Sequence, residues 1–151
     1  SGASWWQERL RVRLSGAVSE TGHAADRMQA GHVSEDISFW DELREQRAGF
    51  FSESDNLWRL SLPSATDPVD LGGDCLVEWG GAQRWYRTPV PEHESRDLAV
   101  SNGGHATLFR GDADYERFHP MAPALQRMQR RIKQAFDPDG LLNPYRMSRD
   151  W

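Results

Sequence analysis

The sequence is short of the residues that build cross-links and metal cages. It holds one cysteine, Cys75, in 151 residues, which excludes an internal disulfide and any multi-thiolate zinc site. Without a disulfide framework, the expected compartment is the cytoplasm. The five histidines (His23, His32, His93, His105 and His119) show no HExxH or other paired metal spacing, so no metal ligand is assigned. No stretch approaches the ~20 apolar residues of a membrane helix, and no basic-then-apolar leader of the secretory type is present. Positive charge is in deficit too. A net charge of -5 argues against a dedicated nucleic-acid binder. GxGxxG, a P-loop and a multi-cysteine cluster are all missing.

What is present suffices for one domain, residues 1–151, with a real core. Seven Trp and six Phe, spread along the chain, supply much of the apolar material. A mean hydropathy of -0.75 with 27% charged residues describes a soluble surface. The chain starts at Ser1 without a methionine. Either Ser1-Gly2-Ala3 are non-native residues or, the favoured reading, the whole chain is a piece of something longer.

Period-two alternation marks the strands. Leu10, Val12 and Leu14 alternate with arginines over residues 9–14, predicting a strand whose aliphatic face is inside. Ser19 is expected to cap a short helix to about Ala30. A second helix is expected over 34–49, with Ser38 and Asp41 as a capping box and Trp40, Leu43 and Phe50 at helical spacing. Trp58, Leu60 and Leu62 alternate over 57–62. Cys75-Leu76-Val77-Glu78-Trp79 and Gln83-Arg84-Trp85-Tyr86-Arg87 flank Gly80-Gly81, the composition of a tight hairpin turn. A weaker helix is expected over 92–101 and a strand over 105–110. In the last helix Leu125, Met128, Ile132 and Phe136 share a face, expected to be buried, and Asp137-Pro138 ends it. The order strand, helix, strand, hairpin, helix, strand predicts an α+β fold. Its form is a ferredoxin-like antiparallel sheet with helices on one face, plus a C-terminal helix and tail.

Four strings occur in one order: Leu57-Trp58-Arg59-Leu60-Ser61-Leu62-Pro63, Glu78-Trp79-Gly80-Gly81-Ala82-Gln83-Arg84-Trp85, Gly103-Gly104-His105-Ala106-Thr107-Leu108-Phe109-Arg110 and Phe136-Asp137-Pro138-Asp139-Gly140-Leu141-Leu142-Asn143-Pro144. Together they resemble the C-terminal part of the FAD-binding, E-type subunits of bacterial glycolate oxidases, from roughly Trp40 to Met147. The last string is also similar to the tail of the wider FAD-linked oxidases of vanillyl-alcohol-oxidase type, DPxGxxNPG followed by a basic residue. Asp137, Pro138, Gly140, Asn143, Pro144 and Arg146 match it, and Tyr145 stands where glycine is usual.

The resemblance implies a cap domain, cut from an N-terminal FAD-binding domain, that covers the flavin and helps form a cavity for a small 2-hydroxy acid such as glycolate. FAD is then the cofactor of the whole subunit and is not expected in this chain, which should be colourless and inactive alone. The implied partners are the chain's own FAD domain, a second flavin subunit and an iron–sulfur subunit. These would place a cytoplasmic protein at the periphery of the inner membrane.

Site residues follow from the same resemblance. Arg59 and Arg84 are candidates for the substrate carboxylate, because a guanidinium pairs with it bidentately. The plainer reading is a wet-face arginine paired with Glu78 or another acid. His105 is the candidate base, since imidazole titrates near neutrality; the alternative is a strand-end histidine with a local hydrogen bond. Asn143 and Arg146 are candidates for the cofactor side, against a turn residue and a solvated charge. Arg84, His105 and Asn143 are expected to converge. Arg127, Arg130, Arg131 and Lys133 read as a solvated helix face, and Cys75 as a buried small hydrophobe. Two other functions stay open: a non-catalytic assembly or electron-transfer subunit of the same complex, and a stand-alone ferredoxin-like module that binds a small molecule.

Overall fold

Short strands with two different faces pair into a single sheet. The structure is a computed structural model describing residues 2–52, 56–111 and 116–148. Among these, Gly2–Trp6 (β1), Arg9–Arg13 (β2), Leu57–Ser61 (β3), Asp74–Glu78 (β4), Gln83–Arg87 (β5) and His105–Arg110 (β6) form an antiparallel sheet of order β2-β1-β4-β5-β3-β6. The helices are Val18–Arg27 (α1), Ser38–Arg44 (α2), Glu92–Ser101 (α3) and Pro123–Phe136 (α4). The fold class is α+β, as expected.

The section β4-β5-β3-β6 has the strand order of a ferredoxin-like sheet, built from β3, β4, β5, α3 and β6. Where that plan has its first helix, residues 62–73 form an irregular loop. The 9–14 alternation does not begin the ferredoxin order. It forms β2, the far edge strand, joined through β1 by Trp5↔Leu10 pairing, and β1 joins β4 by Trp5↔Val77. Gly2–Trp6 is thus part of the sheet, although its start reads as non-native residues: Ser-Trp-Trp shows no alternation to recognise. Gly80 (φ +61°) and Gly81 (φ +93°) supply the left-handed turn between β4 and β5. A Cβ on Gly81 would lie 2.6 Å from the Ser64 carbonyl oxygen, so the turn admits no larger residue without movement.

Each face of the sheet buries its own cluster. On one, Trp58 and Leu60 of β3, Tyr86 of β5 and Ala106 and Leu108 of β6 pack with Ala99 of α3 and Leu71 of the loop. On the other, Leu57, Leu76 and Trp85 pack under Leu43 of α2 and the 3-10 turn Gly49–Phe51. Edge-to-face rings tie this second cluster together, with Phe50–Phe51 centroids 5.2 Å apart and Phe51–Trp85 5.5 Å apart.

Two burial expectations are corrected. Leu10 is 68% exposed and Val12 is also exposed, with Leu14 half-buried. It is the arginine face of β2 that meets a helix, with Arg11 4.5 Å over the Phe39 ring and Arg13 5.6 Å over Trp40 of α2. Cationic planes on aromatic faces are attractive, and α2 supplies the aromatics. On α4, Leu125, Met128, Ile132 (44% exposed) and Phe136 (83%) are all exposed, because α4 does not pack along the sheet. The α2 cap also differs: Asp36, not a Ser38–Asp41 box, accepts the Ser38 N–H at 2.8 Å.

These placements separate two leucines that the alternation pattern treats alike. Leu60→Ala should cost about 2–5 kcal/mol, because the site is fully buried. Leu10→Ala should fall within about 0.5 kcal/mol of zero. Urea melts of the two variants check the pair.

Candidate functional site

The side chains of β5 and the residue after it alternate between two tasks. On one face Arg84, Tyr86 and Thr88 reach the carbonyls of the loop 62–73. Arg84 Nη1 donates to the Asp67 carbonyl at 2.8 Å, its Nη2 to that of Thr66, and its Nε to that of Gly81 at 3.2 Å. Tyr86 donates to the Val69 carbonyl at 2.8 Å and Thr88 to that of Leu71 at 2.9 Å. Burial raises the ionisation of the Tyr86 phenol well above its ordinary range, and burial likewise pushes the neighbouring Cys75 thiol up. Both stay neutral, and Cys75 packs against the first cluster as a small hydrophobe.

Arg84 is therefore corrected. It is neither a solvated strand arginine nor a group held out to a substrate: it is 5% exposed, with its donors aimed at three backbone oxygens. A carboxylate at Arg84 would have to displace those carbonyls from a buried guanidinium.

Arg59 has the opposite setting. It lies in the middle of β3 on the second face, paired with Trp85 on β5 and Thr107 on β6. Its guanidinium carbon is 5.9 Å from the centroids of both Trp85 and Phe109, and no described acid pairs with it. Glu78 does not reach it, because the Glu78 carboxylate accepts from Trp85 Nε1 at 2.6 Å and Gln83 Nε2 at 2.5 Å. Glu78 thus fixes the Trp85 ring on which Arg59 rests. Thr107, Ser61 and Gln83 share the face by register, and Phe109 is 40% exposed there. Sequence reasoning named Glu78 only as an arginine's partner and passed over Thr107 and Phe109. The signal for them was register parity with Arg59, which requires knowing the strand order.

His105 is on the same face, since it pairs with Ser61, two residues along from Arg59. Diagonal neighbours at this offset come within side-chain reach. His105 is exposed, with its ring centroid 6.4 Å from that of His119. The His119 imidazole accepts the Ala106 N–H at 3.4 Å, and the Arg117 carbonyl accepts that of Leu108 at 2.8 Å. Residues 116–119 thereby cover the outer edge of β6. Arg96 of α3 holds them there through the Glu116 and Phe118 carbonyls, at 2.7 and 3.0 Å. Burial, with Arg96 and His105 nearby, lowers the His119 pKa and keeps it a neutral acceptor. Among the described residues no group of three His, Cys, Asp or Glu could hold a metal ion.

Asn143 and Arg146 lie beyond α4, in a turn built around Asp137. The Asp137 carboxylate accepts the N–H groups of Leu141 (2.8 Å) and Leu142 (2.9 Å) and pairs with Lys133. Asn143 (φ +46°) and Tyr145 (φ +59°) both sit in the left-handed region. That explains why glycine suits the Tyr145 position in the tail signature. Asn143 accepts the Arg146 N–H on its carbonyl at 3.3 Å, and both side chains are exposed. The expected convergence of Arg84, His105 and Asn143 is not formed. Arg84 faces the other side of the sheet from His105, and Asn143 belongs to the α4 tail. Arg59 and His105 share one face of the sheet, as diagonal neighbours by register.

Two predictions follow from these contacts. Arg84→Met should lower stability by about 3 kcal/mol, since three buried carbonyls lose a charged donor, and Tyr86→Phe by about 1 kcal/mol; urea melts measure both. The ion pair with Lys133, burial notwithstanding, holds the Asp137 pKa below its ordinary value. A depressed carboxylate stabilises the turn above its unfolded pKa of roughly 4 and loses that effect as pH falls through the lower folded value. Hydrogen exchange should therefore show the Leu141 and Leu142 amides protected at pH 6 and released in that acidic window, and released at all pH values in Asp137→Asn.

No protein-family model and no solved structure matches the chain. Among curated proteins it is similar to "Glycolate oxidase subunit GlcE" of Escherichia coli (strain K12), with 38% identity over 148 residues. The match takes in 97% of this chain, which spans 41% of that relative's length. That similarity agrees with the resemblance of the four strings to the C-terminal part of such subunits.

Proposed function

We propose that this chain is the C-terminal cap of an FAD-dependent 2-hydroxy-acid oxidase subunit, and that its Arg59 face receives the substrate carboxylate. The observation that carries the reading is the Arg59 guanidinium. It lies mid-sheet, backed by Trp85 and Phe109, without an acidic partner among the described residues, in a chain akin to a glycolate oxidase subunit. Thr107 and Ser61 offer hydroxyls beside it, and the aromatic pair lowers the local dielectric, which strengthens charge pairing.

FAD would supply the acceptor for the hydrogen and electron pair that leave the α-carbon. The described residues fit its ring end and not its phosphates: they offer a flat aromatic-backed face with one cation, and no glycine-rich cradle. Arg59 binds and orients the acid, Phe109 excludes water, and His105 takes the hydroxyl proton. Asn143 and Arg146 belong to this reading as contacts to the flavin side. The dinucleotide would be held by an N-terminal domain outside this chain. A second flavin subunit and an iron–sulfur subunit would carry the electrons onward, at the cytoplasmic periphery of the inner membrane.

The exposed apolar stripe of α4 favours a second reading, in which the subunit's part in the complex is assembly or electron transfer and not oxidation. One experiment separates the two. In the intact subunit within its complex, Arg59→Lys should raise KM for glycolate about tenfold and Arg59→Met about a hundredfold, by loss of a bidentate charged pair. Flavin content should be unchanged in both. An unaltered KM in both variants would leave the assembly reading in place. The chain on its own should purify without a flavin absorbance band.

A further inference from the structure

The outer edge of β6 is closed by backbone that is not a strand. Successive N–H groups of a strand point to opposite sides, so Thr107 turns its amide toward β3 while Ala106 and Leu108 turn theirs outward. Residues 116–119 meet both outward amides. The Arg117 carbonyl accepts from Leu108 at 2.8 Å, and His119 Nδ1 accepts from Ala106 at 3.4 Å. Buried Arg96 of α3, paired with Glu92, grips the same segment by the Glu116 and Phe118 carbonyls. Among these contacts with the segment, only the one at His119 can be switched by a proton. A guanidinium is always charged and a backbone carbonyl never titrates, whereas a ring nitrogen accepts only while it carries no proton.

We infer that residues 116–119 are an acid-released strap: the neutral His119 ring fastens it over the edge of β6, and protonation of that ring unfastens it, baring the Ala106 amide beside His105. An imidazolium would oppose one N–H to another at Ala106, and it would add a positive charge next to Arg96 and near the His105 ring, 6.4 Å away. The ring is open to protons from outside. His119 and Pro120 form one wall of a groove whose other wall is Glu92, His93, Asp97 and Val100 of α3. Arg96, Glu92, His93 and Asp97 from α3 and His105 from β6 are thus the described titratable and charged groups around it, with Glu116 and Arg117 in the strap itself. Burial first, then Arg96 and His105, holds the His119 pKa below its ordinary value. The closed strap therefore binds the proton less well than the open one. Closure is complete above the ordinary value of about 6.5 and weakens as pH falls from there toward the lower closed-state value. Unfastened, the edge is a row of bare donors of the kind that templates another strand. The inference needs neither flavin nor substrate and stands apart from the reading of Arg59.

Hydrogen exchange of the full chain tests it, each amide's rate being divided by its intrinsic rate at the same pH. The Ala106 amide should be protected at pH 8 and lose protection below about pH 6.5, by at most about tenfold per pH unit. Leu108 should respond less, because the Arg117 carbonyl still holds it, and Thr107 should not change. In His119→Asn the side-chain oxygen stands in for Nδ1 and does not titrate, so Ala106 should stay protected throughout. In His119→Phe it should be released throughout, and His105→Asn should keep the wild-type response. A second readout needs no variant: ring 15N shifts should place the proton of neutral His119 on Nε2 at pH 8, and show the ring titrating where Ala106 is released. Flat Ala106 protection in the wild type, a loss shared equally with Thr107, or a response that survives His119→Asn would each overturn the inference. So would protection that His119→Phe leaves intact, or a neutral ring with its proton on Nδ1.

Discussion

The pleat of β5 is the constraint on which both faces of the domain depend. Successive side chains of a strand point to opposite sides, and β5 uses each side fully. Arg84, Tyr86 and Thr88 hold the loop 62–73 by its carbonyls. Trp85, between them, is the floor of the opposite cluster and the support for Arg59. Irregular backbone packed on a sheet leaves carbonyls that must find donors. Three side chains along one extended run, spaced two apart, supply them at 66–67, 69 and 71. A loop thereby does the covering that a helix does in the usual ferredoxin-like plan. A helix would satisfy its own backbone and ask nothing of β5. The sequence of β5 is polar on a buried face because the cover is not a helix.

That arrangement gives two arginines opposite settings across the thickness of one sheet. The guanidinium whose three nitrogens each donate to a backbone oxygen is structural. The one resting on two rings has no described carboxylate to neutralise it. Both arginines lie on adjacent strands among apolar neighbours, and their registers differ by one residue, Leu60 standing opposite Arg84 and Arg59 opposite Trp85. One step of register reverses the face, and with it the chemistry available.

The same parity explains what was legible in the sequence. Strand positions in β2 to β6, the Gly80-Gly81 turn and the stop of α4 at Asp137-Pro138 all rest on local signals, and they stand within a residue or two in the structure. Alternation in β2 correctly showed two unlike faces but not which of them is covered. Aliphatic side chains would take the inside if all else were equal. Here α2 brings Phe39 and Trp40 to the arginine side, and cation–π contact decides it. Arg84 was misplaced for a related reason: nothing in Gln-Arg-Trp-Tyr-Arg says that residues seventeen or eighteen positions earlier will present their carbonyls to it. β1 escaped because Ser-Trp-Trp has no period. His105 and Arg59 emerged as neighbours only once β6 was seen to pair with β3.

The α4 stripe is a misreading of another kind, and it bears on the proposed function. Helical spacing of Leu125, Met128, Ile132 and Phe136 proves that a face is apolar, and a burial requirement follows from that. It does not follow that this domain meets the requirement. The sheet already closes both of its clusters with α2, α3, a 3-10 turn and a loop, leaving α4 no bare central strand to occupy. The Asp137 clasp then fixes the tail on the charged side of α4, so among the described residues the apolar side stays uncovered. The helix is thus stabilised at one end by an ion pair and left open along its apolar face. Arg59 and α4 are accordingly two surfaces of different chemistry. One is polar and aromatic-backed, with a guanidinium resting on two rings; the other is apolar and cation-flanked, so that charge and apolar area are kept apart on the same domain.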